Sequence, residues 1–196
     1  MKRSFAAVTA VVIALAALWN TNPASSQNDG WVTLFDGQHL DNWDKIGDAN
    51  WVLIDGEVHA FNGNGFLVSK ESYADFEIRA EFWVDSKANS GVFIRCTDPT
   101  KVTATNAYEV NIYDERPDPS YGTGAIVNAA KVDPMPKAAD KWNTYEIVAK
   151  GPKFTVTLNG QRTVDGAEDA KLTRGRIALQ YGAGFVKFRL VRIKPL

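Results

Sequence analysis

Three alternating stretches carry the side chains whose types could do chemistry. Glu77, Arg79, Glu81 and Trp83 share one parity in Phe76 to Val84, Phe93 and Arg95 share one in Val92 to Cys96, and Glu109, Asn111 and Tyr113 share one in Tyr108 to Tyr113. In a strand, successive side chains take opposite faces, so Phe76, Ile78, Ala80, Phe82, Val110 and Ile112 face inward while the first set looks outward. Carboxylates, guanidinium groups, an amide and aromatic rings together suit a sugar, since polar groups hold hydroxyls and rings stack on a pyranose. Charges alone also suit a solvated face with cross-strand Glu–Arg pairs; rings on the wet parity are what point to a binding face. Glycosidic cleavage commonly uses two carboxyl groups about 5 to 9.5 Å apart. Glu77 and Glu81 on one strand are separated by about 13 Å, whereas Glu81 and Glu109 meet if their strands are neighbours. That adjacency is an expectation for the structure to test.

Other chemistries find little support. His39 and His59 lie in no HxH or HExxH spacing, so a histidine-rich zinc site is not expected. No nucleophile elbow, phosphate loop or dinucleotide fingerprint occurs, and Gly182-Ala183-Gly184 reads as a turn. The acid-rich stretch Asp114 to Asp118 matches no calcium-loop pattern. No cofactor is expected, and the sequence gives a divalent metal no support. With net charge −1 and a pI near 6.1, the chain lacks the cationic footprint that a nucleic-acid partner requires. Cys96 is the only cysteine, which precludes an intramolecular disulfide, and its parity with Val92 and Ile94 predicts burial.

These residues need a scaffold, and its class is legible. Lys2 and Arg3 precede an apolar run, Phe5 to Trp19, too short for a membrane span and followed by small residues at Ala24-Ser25-Ser26. The expectation is a cleaved signal peptide over 1–26, a secreted or periplasmic protein, and one domain over 27–196 without stable membrane insertion. An uncleaved anchor is the alternative. Beyond residue 27 short alternating runs are punctuated by Gly, Asn, Asp and Pro, the pattern of an all-β fold. Candidate strands fall at Trp31 to Phe35, Trp51 to Ile54, Glu57 to Phe61, Phe66 to Ser69 and Trp142 to Ala149. Phe154 to Leu158 leads through Asn159-Gly160, a type I′ hairpin signal, into Gln161 to Val164, and runs near Ile177 to Tyr181 and Phe185 to Ile193 close the chain. About ten to twelve strands imply two stacked antiparallel sheets, a jelly-roll sandwich. Asp114 to Thr123 and Lys131 to Lys141 are the long loops, of a kind that often borders binding sites.

The ordered motifs resemble one family. They are Leu34-Phe35-Asp36-Gly37 through Trp43, Trp51 to Gly56, Tyr73 to Phe82, Ala88-Asn89-Ser90-Gly91 through Arg95, Tyr108 to Asp114, Thr123 to Ile126, Trp142 to Ile147, Leu158-Asn159-Gly160 and Ile177 to Gln180. In this order and spacing the chain resembles the 3-keto-disaccharide hydrolase domain family, built on the concanavalin A-like, laminin G-like jelly roll. The resemblance implies an exported carbohydrate-active domain that binds a saccharide on a concave sheet and cleaves glycosides oxidised to a ketone at C3. It makes Glu81 and Glu109 acid/base candidates with Arg95, Asn89 and Asn111 as oxyanion or hydroxyl binders. Trp83, Phe93 and Tyr113 are further substrate contacts, with Asp114, Trp142 and Gln180 at the rim. Asn111 stands where the family favours Gln, and Val127 where Tyr is common, which touches specificity more than fold. Glu77 to Glu81 also bears a faint likeness to the acidic strand of laminarinase-type glycosidases, but Arg79 replaces a needed acid, which disfavours a conventional retaining glucanase. A non-catalytic carbohydrate-binding or adhesion module is the alternative, because fold does not fix function.

Overall fold

The computed structural model describes residues 29–196, so the expected signal segment 1–26 lies outside the described residues. Thirteen strands follow in order: β1 Val32–Phe35, β2 Trp43–Gly47, β3 Asn50–Ile54, β4 Glu57–Phe61, β5 Gly65–Tyr73, β6 Phe76–Val84, β7 Asn89–Cys96, β8 Tyr108–Ile112, β9 Trp142–Lys150, β10 Lys153–Leu158, β11 Gln161–Glu168, β12 Gly175–Ala183 and β13 Val186–Pro195. The one helical element among the described residues is a 3-10 turn, Pro119–Tyr121. The strands form an eight-stranded sheet, ordered β11-β10-β9-β6-β13-β4-β3 with β1 also on β13, and a five-stranded sheet ordered β2-β5-β12-β7-β8. Paired strands run antiparallel, giving a two-sheet jelly-roll sandwich. Among the described residues no helix is long and apolar enough to cross a membrane.

Period-two alternation builds the core. Phe76, Ile78, Ala80, Phe82 and Val84 are buried from the eight-stranded side against Val92, Ile94, Val110, Ile112, Ile177 and Leu179 from the other. Tyr145 spans the layers, its hydroxyl donating to the Asn111 carbonyl at 2.6 Å and accepting from Gly124 N–H at 2.8 Å, so β9 fixes the height of β8. Asn159 and Gly160 both have positive φ, 51° and 81°, as the expected type I′ hairpin requires.

Two features depart from the alternation. β2, paired with β5 from Trp43 to Gly47, was not anticipated, because only five residues form it and Asp44 and Lys45 interrupt its apolar pattern. In β7 the ladder slips: Phe93 pairs Ala178 and Cys96 pairs Arg176, so Ile94 and Arg95 together oppose Ile177. This is a β-bulge, with Arg95 at φ 54°. It turns Arg95 inward and Cys96 outward. Cys96 is buried as expected, but beneath the loop over the outer face, with Val68, Phe93, Val102, Ala107 and Ala178.

Candidate functional site

The outward-facing side chains do not share one face. β6 lies in the eight-stranded sheet, and β7 and β8 lie in the five-stranded one, so Glu81 and Glu109 point away from opposite sides of the sandwich. The expected Glu81–Glu109 pair is therefore corrected: alternation fixes which side of its own sheet a residue takes, not which sheet its strand joins. Glu81 instead accepts an ion pair from Arg189 Nε at 2.7 Å. Trp83 and Trp142 sit beside it, directly opposite each other in register. Lys187 Nζ lies 5.2 Å and 5.0 Å from their ring centroids, and the Arg189 guanidinium lies 4.2 Å over Trp142. These cation–π contacts cover ring faces that a sugar would need, so neither tryptophan joins the site of Glu109.

Arg95 is also displaced from that site. Its side chain is fully buried and donates to the carbonyls of Ala74 (2.9 Å), Gly151 (2.8 Å) and Leu172 (3.0 Å) and to the Asp75 carboxylate (3.1 Å). With its donors spent on loop carbonyls and Asp75 and its guanidinium carbon 5.2 Å from the Phe154 ring centroid, Arg95 ties loops together and is not free to meet an oxyanion. The bulge that sequence alternation could not register is the cause.

The remaining candidates converge on the outer face of the five-stranded sheet. Across one row of the ladder, Asn111 of β8 faces Gly91 of β7, Gly91 faces Gln180 of β12, and Gln180 faces Phe66 of β5. In the next row Glu109 faces Phe93, and Phe93 faces Ala178. Gly91 leaves a bare patch: a Cβ there would meet the Val110 carbonyl at 3.2 Å, Glu109 Cγ at 3.3 Å and Phe93 Cε2 at 3.4 Å. Asn89 and Tyr113, both half-buried, flank this patch at the ends of β7 and β8.

Around the bare patch polar groups are left without partners. Glu109 is 9% exposed, and burial pushes its carboxyl up to about 7, against a partial opposing pull from Arg116. Asn111 is fully buried; one amide N–H donates to the Tyr121 carbonyl at 2.7 Å, while its Oδ1 has no partner. Gln180 Oε1 across Gly91 is likewise buried and unpartnered. Two orphaned acceptors beside a protonatable carboxyl are costly unless something donates to them. Vicinal hydroxyls of a sugar ring would do so.

Phe93 is buried in the small apolar cluster under the 97–107 segment, edge-on to Phe66 at 5.3 Å, so it walls the site and is not an open stacking platform. Phe66, half-buried and next to Gln180, is the ring that retains access; sequence reading passed over it as a strand residue. Asp114 accepts from Thr123 Oγ1 (2.6 Å) and from the N–H groups of Ala138 and Ala139 (2.9 and 3.0 Å), which fastens the 114–141 segment beside the face. Gly91 was also missed. The signal for Gly91 was its parity with Phe93, an outward position with no side chain.

A family model for the 3-keto-alpha-glucoside-1,2-lyase-like domain matches residues 30–194, nearly all of the described chain. The chain belongs to this family. A 3-keto-disaccharide hydrolase from Bacteroides thetaiotaomicron is 25% identical over an alignment covering 61% of this chain and 52% of that protein, so the chain spans about half the length of this relative. Among solved structures, a candidate glycosyl hydrolase from Parabacteroides distasonis is 28% identical, with a TM-score of 0.69 and coverage of 85% of this chain and 99% of that one. The β-glucanase of Bacillus licheniformis shares the fold at 17% identity, TM-score 0.61, covering 87% and 100% of the two chains. Membership in the 3-keto-alpha-glucoside-1,2-lyase-like family agrees with the resemblance carried by the sequence motifs.

Proposed function

We propose that this family member cleaves 3-keto-glycosides, 3-keto-disaccharides among them, on the outer face of its five-stranded sheet, with Glu109 as the acid/base residue. The observation that carries the reading is a buried, unpaired Glu109 carboxyl beside the bare Gly91 patch and the orphaned oxygens of Asn111 and Gln180. A ketone at C3 acidifies the C2 proton. Glu109 as carboxylate takes that proton, and the C2–H electron pair becomes a C2–C3 double bond with charge on the C3 oxygen. As this enolate collapses, a C1–C2 double bond forms and the C1–aglycone bond breaks. The proton held by Glu109 then passes to the departing aglycone oxygen. Water adding back across the double bond would complete hydrolysis. A carboxyl titrating near 7 is matched to both halves of this exchange.

One carboxyl suffices for this sequence, whereas a conventional two-carboxylate hydrolysis needs a partner about 5 to 9.5 Å away, and Glu81 is on the opposite side of the sandwich. Asn111 Oδ1 and Gln180 Oε1 would accept from ring hydroxyls, with Asn89, Tyr113 and Phe66 completing the saccharide contact. Export through the N-terminal segment is part of the same proposal, resting on the basic, apolar and small-residue order of residues 2–26.

The test is product formation from 3-keto-trehalose or a 3-keto-glucoside by wild-type protein and by Glu109→Gln. Turnover in the wild type that falls by at least about 10²-fold in the variant is expected. Absence of wild-type turnover with retained saccharide binding would instead make the chain a binding module.

A further inference from the structure

The outer face of the five-stranded sheet changes character along one ladder row. From β8 to β2 the outward residues are Asn111, Gly91, Gln180, Phe66 and Ile46, each opposite the next. The first three supply the bare patch and its two orphaned oxygens. The last two supply only carbon. Phe66 and Ile46 are both half-buried and both pack on the apolar cluster of Val68, Phe93, Val102 and Ala178, so they stand on this face with part of their surface open.

Phe93 bridges the two halves. Its Cε2 lies 3.4 Å from where a Gly91 Cβ would be, and its ring centroid lies 5.3 Å from that of Phe66 with the planes at 88°. Phe66 therefore borders the bare patch at one ring's remove, seated by an edge-to-face contact. Glu109 Cγ reaches the same patch, 3.3 Å from the Gly91 Cβ position. From Gly91 to Phe66 is two strand spacings, about 10 Å, room for a pyranose over Gly91 with its C1 substituent over Phe66. Along the strands the way past Phe93 is closed by the 97–107 segment, seated on the cluster through Val102 and Ala107. The polar side chains nearest the apolar end are engaged with each other, Arg176 donating to Asp44 at 3.2 Å. A second sugar placed there would take hydroxyls out of water with no partner on Phe66 or Ile46, whereas an aromatic ring stacks on the one and covers the other.

We propose that Phe66 and Ile46 form the aglycone site, and that the substrates best suited to this chain are aryl 3-keto-glucosides, the ketone ring lying over Gly91 and the aryl ring on Phe66. The inference rests on the reading of Glu109 as the acid/base residue and names the substrate class. The chemistry agrees. The C1–O bond breaks with its electron pair passing to a phenolic oxygen, which then takes the proton from Glu109. A phenol ionises at a pH of about 10, as tyrosine does, so its oxygen departs with less help than that of an alcohol, which suits elimination by a single carboxyl.

The test compares phenyl and methyl 3-keto-glucosides as substrates of the wild type, of Phe66→Ala and of Ile46→Ser, the last on the edge strand β2. In the wild type KM for the phenyl compound is expected to be at least about tenfold below that for the methyl compound. Phe66→Ala should shrink that ratio to about twofold or less, and Ile46→Ser should shrink it by about threefold. Each ratio is taken within one protein, so a smaller folded fraction does not change it. Equal KM values in the wild type would overturn the proposal, as would a ratio that Phe66→Ala preserves or, should that variant not fold, one that Ile46→Ser preserves. If the wild type turns over neither compound, the elimination reading falls, and calorimetric titration with the same two glucosides decides the platform by itself. Tighter binding of the phenyl compound that weakens in either variant would retain it, and any other pattern would remove it.

Discussion

Gly91 shows how a missing side chain can define a site. A Cβ there would meet the Val110 carbonyl at 3.2 Å and Glu109 Cγ at 3.3 Å, distances at which a neighbour has to give, with the Phe93 ring in contact at 3.4 Å. Because the Val110 carbonyl belongs to the backbone of β8 and Phe93 is held in the apolar cluster beneath the 97–107 segment, the side chain left to yield is that of Glu109. Gly91→Ala is therefore expected to weaken saccharide binding by about tenfold or more, while destabilising the fold by about 1 to 2 kcal/mol. Calorimetric titration with the 3-keto-glucoside and urea unfolding measure the two effects, and an affinity equal to wild type would remove Gly91 from the site. The neighbouring Asn111 is fixed by its bond to the Tyr121 carbonyl and by the Tyr145 hydroxyl beneath its own carbonyl, so its free Oδ1 is presented without searching.

At the scale of elements, the assignment of β6 to one sheet and β8 to the other puts Glu81 and Glu109 on opposite sides of the sandwich. Glu81 is an ion-pair partner of Arg189 whose guanidinium stacks on Trp142, on a side chain that is 45% exposed. Exposed pairs of this kind contribute at most about 1 kcal/mol. Glu81→Gln should lower stability by less than that and leave turnover within about twofold of wild type. A loss of turnover comparable to that of Glu109→Gln would place the chemistry on the eight-stranded sheet and refute the assignment. The bulge in β7 works at the same scale: one extra residue sends Arg95 between the sheets, where it gathers carbonyls from three separate segments and is lost to the outer face.

For the molecule as a whole, Glu109 couples the site to stability. Its folded-state titration near 7 lies above the ordinary 4.5, so between these values the folded chain holds a proton that the unfolded chain has released. Stability is then fully present below about pH 4.5 and is lost as pH rises toward and past 7, by on the order of 3 kcal/mol at about 1.4 kcal/mol per pH unit. Glu109→Gln removes this dependence. The variant is expected to be more stable than wild type at pH 8 and similar to it at pH 4.5, as measured by urea midpoints at the two values. Turnover should rise with pH through about 7 as the carboxylate forms. Equal stability of wild type and Glu109→Gln at pH 8 would show that the carboxyl is not strained by burial. A residue that costs stability where it is ionised is the expected signature of a group kept for chemistry.

The all-β class, most strand positions, the hairpin at Asn159-Gly160 and the outward parity of Glu109 and Asn111 are local properties, written in alternation and turn residues and hence legible in the sequence. The family likeness came from short motifs whose order survives along the chain. Which strands share a sheet is a matter of long-range pairing, and alternation carries no information about it; only the tertiary structure separated Glu81, Trp83 and Trp142 from Glu109. The fate of Arg95 depended on a one-residue slip against β12, which reverses side-chain direction without changing composition. Phe66 and Gly91 gained their meaning from neighbours far away in sequence, because a site is made where strands and loops from distant segments meet, and the free energy that brings them together resides in the packed core between the sheets.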